Sequence, residues 1–144
     1  MIELRTIEDN ELYMIIPFIS EDNLLLKTFG NGNNIKYRLL YSSYACYICL
    51  DGVDIGFINV VNKNNIFEID MGIISPYRNK GYGTQALKLL KETVLFDNEN
   101  IVIQTKKNNI AANKSVIDNE FKLIKIDKKY NYYVMWLFFF LNKK

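Results

Sequence analysis

At 144 residues, with 49% hydrophobic and 24% charged side chains, the sequence has the composition of one globular domain, 1–144, long enough for a single core. A net charge of +2, carried by scattered lysines, argues against a nucleic-acid partner. The chain has no histidine, which removes His-based triads, most zinc sites and the commonest neutral-pH base; no metal is expected, and acid–base chemistry falls to carboxylates, Tyr, Cys, Lys or water.

In chain order, the charged start Met1-Ile2-Glu3-Leu4-Arg5 is unlike a signal peptide. Ile2–Ile7 alternates like a strand. Residues 8–30 read as two short helices interrupted at Pro17, with Ser20 as N-cap of the second. Gly30-Asn31-Gly32-Asn33-Asn34 is a loop by its turn residues, and Ile35–Tyr44 has no decisive period. Ala45–Leu50 and Val53–Val61 form a hairpin through Asp51-Gly52, the residue pair that a type I′ turn favours. A second turn at Asn62-Lys63-Asn64-Asn65 leads into Ile66–Ile74. Cys46 and Cys49 lie three apart on the first hairpin strand, so they point to opposite faces. That predicts two separate structural thiols, against the alternatives of a redox pair or half a zinc site.

A central helix follows over Thr84–Phe96. Then come a short buried strand Ile101–Thr105, a helix Asn109–Asn119, and strands Phe121–Ile126 and Tyr130–Leu141. The order predicts a mixed α/β fold whose sheet is mostly antiparallel, with parallel neighbours only around the central helix. The longest apolar run, Tyr132–Leu141, is well short of the roughly 18–20 residues of a membrane span, so a soluble cytoplasmic protein is expected. That run is apolar on both faces. It reads either as a buried strand or as an interface, and the interface reading predicts a homodimer or larger.

The most informative stretch is Arg78-Asn79-Lys80-Gly81-Tyr82-Gly83-Thr84. It stands between the strand Phe67–Ile74 and a helix with Ala86, Leu87, Leu90, Val94 and Leu95 on its apolar side. A strand, a basic glycine turn and a helix start together make an anion site. Backbone N–H groups are free there, the helix dipole is positive, and glycines let a ligand approach the main chain. The guest that fits is a phosphate or pyrophosphate. The plain alternative is a surface turn before a helix.

Arg-x-x-Gly-x-Gly resembles the acyl-coenzyme A signature of the GNAT (Gcn5-related) N-acetyltransferase superfamily. Asn109-Ile110-Ala111-Ala112-Asn113-Lys114, followed by Phe121, resembles that superfamily's second stretch. With Leu4-Arg5 and Asp9, the chain is most similar to the branch of ribosomal-protein-alanine and spermidine acetyltransferases. The resemblance spans nearly the whole chain and is weakest over 10–44. Three positions depart from the pattern. Only Tyr77 separates Pro76 from Arg78, Glu120 replaces the usual glycine, and Val116 stands where several relatives have a tyrosine.

The resemblance implies a twisted sheet of about seven strands, splayed around acetyl-coenzyme A, with about four helices. It implies that main-chain groups of Met71, Ile73 and Ser75 hold the pantetheine arm. The pyrophosphate would lie over Arg78, Asn79, Lys80, Gly81, Tyr82, Gly83 and Thr84. Asn109 and Asn113 would face the cofactor, with Asn109 also an N-cap and Lys114 equally well a solvated side chain.

Acetyl transfer needs an amine freed of its proton and a polarised thioester carbonyl. The N–H near Ile73 is a candidate oxyanion donor. Glu68 and then Asp70 are the candidate bases, since they share a strand face with Gly72; otherwise they are solvated strand residues. Tyr132 or Tyr133 is a candidate acid, although a thiolate leaves without help.

The expected activity is acetyl-coenzyme A-dependent N-acetylation of a primary amine, on a small molecule or a protein N-terminus. The rival is a non-catalytic acyl-coenzyme A-binding sensor or interaction module. The Walker and Rossmann glycine patterns are both absent.

Overall fold

A computed structural model describes residues 1–30, 33–40, 42–93 and 102–135. Strand β1 (Ile2–Thr6) leads through a 3₁₀ segment (Asp9–Met14) into α1 (Ile15–Ser20), α2 (Asn23–Phe29) and α3 (Asn33–Leu40). Three strands follow: β2 (Tyr44–Leu50), β3 (Val53–Lys63) and β4 (Ile66–Ile73). A 3₁₀ turn (Ser75–Tyr77) leads to α4 (Tyr82–Thr93). Then come β5 (Val102–Lys106), α5 (Ile110–Asp118), β6 (Phe121–Ile126) and β7 (Tyr130–Met135). The seven strands form one sheet in the order β1-β2-β3-β4-β5-β7-β6, antiparallel except between β4 and β5.

Strand alternation divides the apolar residues between the two faces. Ile69, Met71 and Ile73 pack with Leu87 and Leu90 of α4 and Val116 of α5. Tyr47 and Phe57 pack on the other face with Ile15, Ile19, Leu25, Phe29, Ile35 and Leu39 of α1, α2 and α3. Cys46 belongs to the first cluster and Cys49 to the second, and both are free thiols. The opposite-face reading of this pair holds.

The hairpin turn is as read: Asp51 and Gly52 both have positive φ, 49° and 86°, as a type I′ turn requires. Glu120 also has positive φ, at 69°, so it adopts the backbone of the glycine it replaces.

Several local expectations are corrected. Pro17 does not interrupt a helix. It lies in the first turn of α1, where its missing N–H costs nothing. Ser20 does not cap α2; its hydroxyl donates to Ile16 O at 2.8 Å. The cap is Asp22, whose carboxylate accepts from Leu24 N–H and Leu25 N–H. α3 begins at Asn33, inside the segment expected as a loop, and runs on into the undecided stretch, held on the sheet by buried Ile35 and Leu39 one turn apart. Five α-helices lie among the described residues, in line with the expected number of about four.

β7 lies between β5 and β6, so the last described strand is not the sheet edge. Residues 94–96, 101 and 136–141, on which the longer helix, the full buried strand and the C-terminal interface were read, lie outside the described residues. Among the described residues, no helix is long and apolar enough to cross a membrane.

Candidate active site

The site begins where the sheet comes apart. β4 pairs with β5 only over Ile66–Glu68, against Val102–Gln104, whereas it pairs with β3 as far as Ile73. From Ile69 to Ile73, therefore, one edge of β4 has no described strand beside it. Ile74 N–H donates to Ile55 O on β3 at 2.9 Å, so by alternation the main-chain groups of Ile73 and Met71 face the open side.

At the end of β4 the chain turns sharply. Ser75–Tyr77 forms the 3₁₀ turn, Asn79 and Gly81 take positive φ of 61° and 80°, and α4 starts at Tyr82. The first bond of α4 runs from Gln85 N–H to Gly81 O at 3.1 Å. The N–H groups of Tyr82, Gly83 and Thr84 precede it and lack helical acceptors. A Cβ at Gly81 would meet open space, which leaves room beside the turn.

A cavity of about 250 Å³ joins these features. It is bounded by Leu25 and Phe29 of α2, by Met71, Gly72 and Ile73 of β4, by the glycine turn, and by Asn109, Lys114 and Ser115 at the α5 end. An elongated guest with an apolar arm and an anionic head fits this run of surfaces. The arm would lie along the open edge of β4 and the head against the start of α4.

The expected site residues fall into three groups. Asn79, Gly81, Tyr82, Gly83, Thr84 and Asn109 line the cavity, as do Met71 and Ile73. Asn109 caps α5, accepting from Ala112 N–H at 3.1 Å. Lys80 is exposed on the turn.

A second group is engaged elsewhere. Asn113 does not line the cavity; it faces β5 and β7. Its Oδ1 accepts from Thr105 Oγ1 (2.5 Å), Asn131 Nδ2 (2.9 Å) and the Tyr133 hydroxyl (2.7 Å). Its Nδ2 donates to Lys106 O and Asn109 O. Its neighbour Lys114 reaches the cavity instead. Ser75 N–H donates to Asp22 Oδ2 at 2.8 Å. Arg78 lines the cavity, but its Nε–H donates to Ile73 O at 2.9 Å and its Nη2 pairs with Asp22 Oδ1.

The third group is the candidate acid–base set. Glu68 and Asp70 do share a face with Gly72, but they are buried and do not line the cavity. They are not solvated strand residues either. Arg38 of α3 spans both, with Nε 2.6 Å from Asp70 Oδ2 and Nη2 paired with Glu68 Oε2. Lys63 Nζ lies 2.6 Å from Glu68, and Asn59 Nδ2 donates to Asp70 at 3.0 Å. Burial pushes the Asp70 carboxyl above the usual range, against the opposing pull of Arg38.

The Tyr132 hydroxyl donates to Asp127 at 2.7 Å, and that bond raises its pKa to about 12. Tyr133 is committed to Asn113. Among the described residues, no carboxylate lines the cavity.

Residues 11–115 match the family model described as the Acetyltransferase (GNAT) family. The chain belongs to this family. No curated protein matches it in sequence. Among solved structures, an aminoglycoside acetyltransferase, AAC(6')-Ib in complex with coenzyme A, shares the fold with a TM-score of 0.71 and 16% identity, covering 100% of each chain. RimL, a ribosomal L7/L12 alpha-N-protein acetyltransferase, aligns with a TM-score of 0.67 and 16% identity, over 92% of this chain and 88% of its own. A GNAT-family acetyltransferase from Bacillus anthracis aligns with a TM-score of 0.67 and 14% identity, over 94% and 95%. The GNAT fold is thus shared across the length of the described sheet.

Sequence reasoning missed Asp22, Arg38 and the wall of α2. The cap of α2 was read at Ser20 instead, and nothing near Asp22 points to Arg78, 56 residues away. Arg38 lies in the stretch with no decisive period.

Proposed function

We propose that residues 1–144 form an acetyl-coenzyme A-dependent N-acetyltransferase acting on a primary amine. The observation that carries this reading is the open edge of β4, continuous through one cavity with the unpaired N–H groups of Tyr82, Gly83 and Thr84. The Met71 main chain holds the pantetheine arm, and Ile73 N–H is left for the thioester because Arg78 takes Ile73 O. The turn from Asn79 to Thr84 holds the pyrophosphate, and Asn109 closes the far side.

Acetyl-coenzyme A supplies the acetyl thioester as co-substrate. The amine nitrogen forms the new bond to the acetyl carbon, the carbon–sulfur bond breaks, and the amine gives up a proton. Ile73 N–H faces the open edge and polarises the carbonyl. The base is a carboxylate of β4 acting through water. Asp70 is the first candidate, ahead of Glu68, because it is one strand step nearer Gly72 and burial raises its basicity. Tyr132 is a weak candidate acid, since its proton is held by Asp127.

One observation favours the second reading, a non-catalytic acyl-coenzyme A-binding module: both candidate bases are locked in ion pairs away from the cavity. Thiol release from acetyl-coenzyme A, measured with a panel of polyamines, aminoglycosides and peptide N-termini, separates the two. Amine-dependent release is expected. Binding of acetyl-coenzyme A with no release for any amine would favour the module.

A further inference from the structure

Asp22 lies outside every motif that points to the cofactor, yet its carboxylate is the most heavily used acceptor beside the cavity. It is buried, at 7% exposure, and takes donors from two segments, the start of its own helix and the turn after β4. Leu24 N–H and Leu25 N–H, at the start of α2, reach Oδ1 at 3.1 Å each. Ser75 N–H, just beyond β4, reaches Oδ2 at 2.8 Å. The Arg78 guanidinium pairs with Oδ1, while its Nε–H donates to Ile73 O at 2.9 Å.

We propose that Asp22 and Arg78 are a positioning pair that fixes α2 against the cofactor groove, and that Arg78 is a strut and not a phosphate ligand. The proposal rests on the reading of the cavity as an acyl-coenzyme A site.

Three physical points support it. First, the guanidinium is turned back onto the end of β4. Its planar fork serves a carbonyl and a carboxylate at once, which a point charge cannot do. Second, its charge is already neutralised by Asp22. Moving it to a pyrophosphate would leave a buried carboxylate uncompensated. Third, the pair sets the width of the groove. Asp22 begins the helix that brings Leu25 and Phe29 to the cavity, and this helix lies so close to β4 that a Cβ at Gly72 would be 2.5 Å from Leu25 Cδ2. Holding Ile73 O with Arg78 also restrains the peptide that follows the proposed oxyanion donor.

The test compares coenzyme A affinity by calorimetry in the wild type, Asp22→Asn, Arg78→Lys and the double variant. Thermal denaturation confirms that each is folded at the assay temperature. Asp22→Asn keeps an oxygen for the helix cap but loses the charge that holds Arg78. A strut predicts that each single variant loses on the order of tenfold, and that the double variant is no worse than either, since both break one unit. In turnover, the loss appears in KM for acetyl-coenzyme A more than in kcat.

A phosphate ligand predicts otherwise. Arg78→Lys would stay near wild type, because lysine binds phosphate as a point charge. Asp22→Asn would bind as well or better, with Arg78 released. Either of those results overturns the proposal. Absence of coenzyme A binding in the wild type would overturn the site reading itself, and the pair's role with it. Wild-type binding with unaffected variants would overturn only the pair's role.

Discussion

Two carboxylates on β4 show how far residue type alone carries an argument. Period-two alternation puts Glu68 and Asp70 on the face of Gly72, and the structure keeps them there. What alternation cannot report is the helix that lands on that face. Arg38 arrives from α3 and converts two nominal bases into an ion-pair cluster. Burial still raises the Asp70 carboxyl above the usual carboxylate range, which strengthens it as a base. Asp70→Asn is therefore expected to lower kcat/KM by about 10²–10⁴-fold at neutral pH, with partial recovery as pH rises and the amine loses its own proton. Glu68→Gln should be milder. Because a raised carboxyl must be ionised to act, wild-type activity should fall as pH drops through the Asp70 value. Full activity in both variants, with melting temperatures showing that they are folded, would place the base elsewhere.

At the scale of elements, most of the fold was legible and the reasons are local. The β2–β3 hairpin was marked by Asp51-Gly52, β4 and α4 by a change of period from two to 3.6 across a glycine turn, and α5 by its capping Asn109. α3 was not legible. It has eight residues, and exposed Tyr37 and Leu40 blur the spacing of Ile35 and Leu39. The site divided along the same line. The turn and the two helix starts were visible because they are contiguous in sequence. The contacts of Asp22 with Arg78 and of Arg38 with Glu68 and Asp70 were not, because they join residues thirty or more positions apart.

Gly83 shows the same limit. Its motif position suggests a phosphate approach, but a Cβ there would lie 2.9 Å from both Met71 Sδ and Ser115 Oγ. Its smallness lets α4 seat on β4 and α5. Gly83→Val should therefore destabilise the fold by about 1–3 kcal/mol through overpacking, as well as weakening cofactor binding. Urea denaturation checks this. An unchanged midpoint with lost binding would assign Gly83 to the ligand alone.

Over the whole molecule, the missing histidines leave the acid limb of stability to carboxylates whose signs differ. Burial alone would raise the Asp22 carboxyl, but Leu25 N–H, Arg78 and Ser75 N–H outweigh it and hold it below the usual range. A carboxyl lowered by folding stabilises fully above its unfolded value, about 3.9, and loses that contribution as pH falls through the folded value. Asp70 has the opposite sign. Its folded carboxyl is raised, chiefly by burial, so the folded state binds the proton more tightly and gains relative stability as pH falls through that raised value. The two groups therefore oppose each other in acid, with Asp70 acting at the higher pH. Urea midpoints followed from about pH 6 to about pH 2.5 should separate them. Asp22→Asn should start from lower stability and decline less below about pH 4, having no charge left to lose. Asp70→Asn should decline earlier than wild type, because the stabilising proton uptake is gone. Parallel acid limbs in all three proteins would mean that neither carboxyl is shifted by folding, and would remove the physical basis for assigning Asp70 a raised basicity.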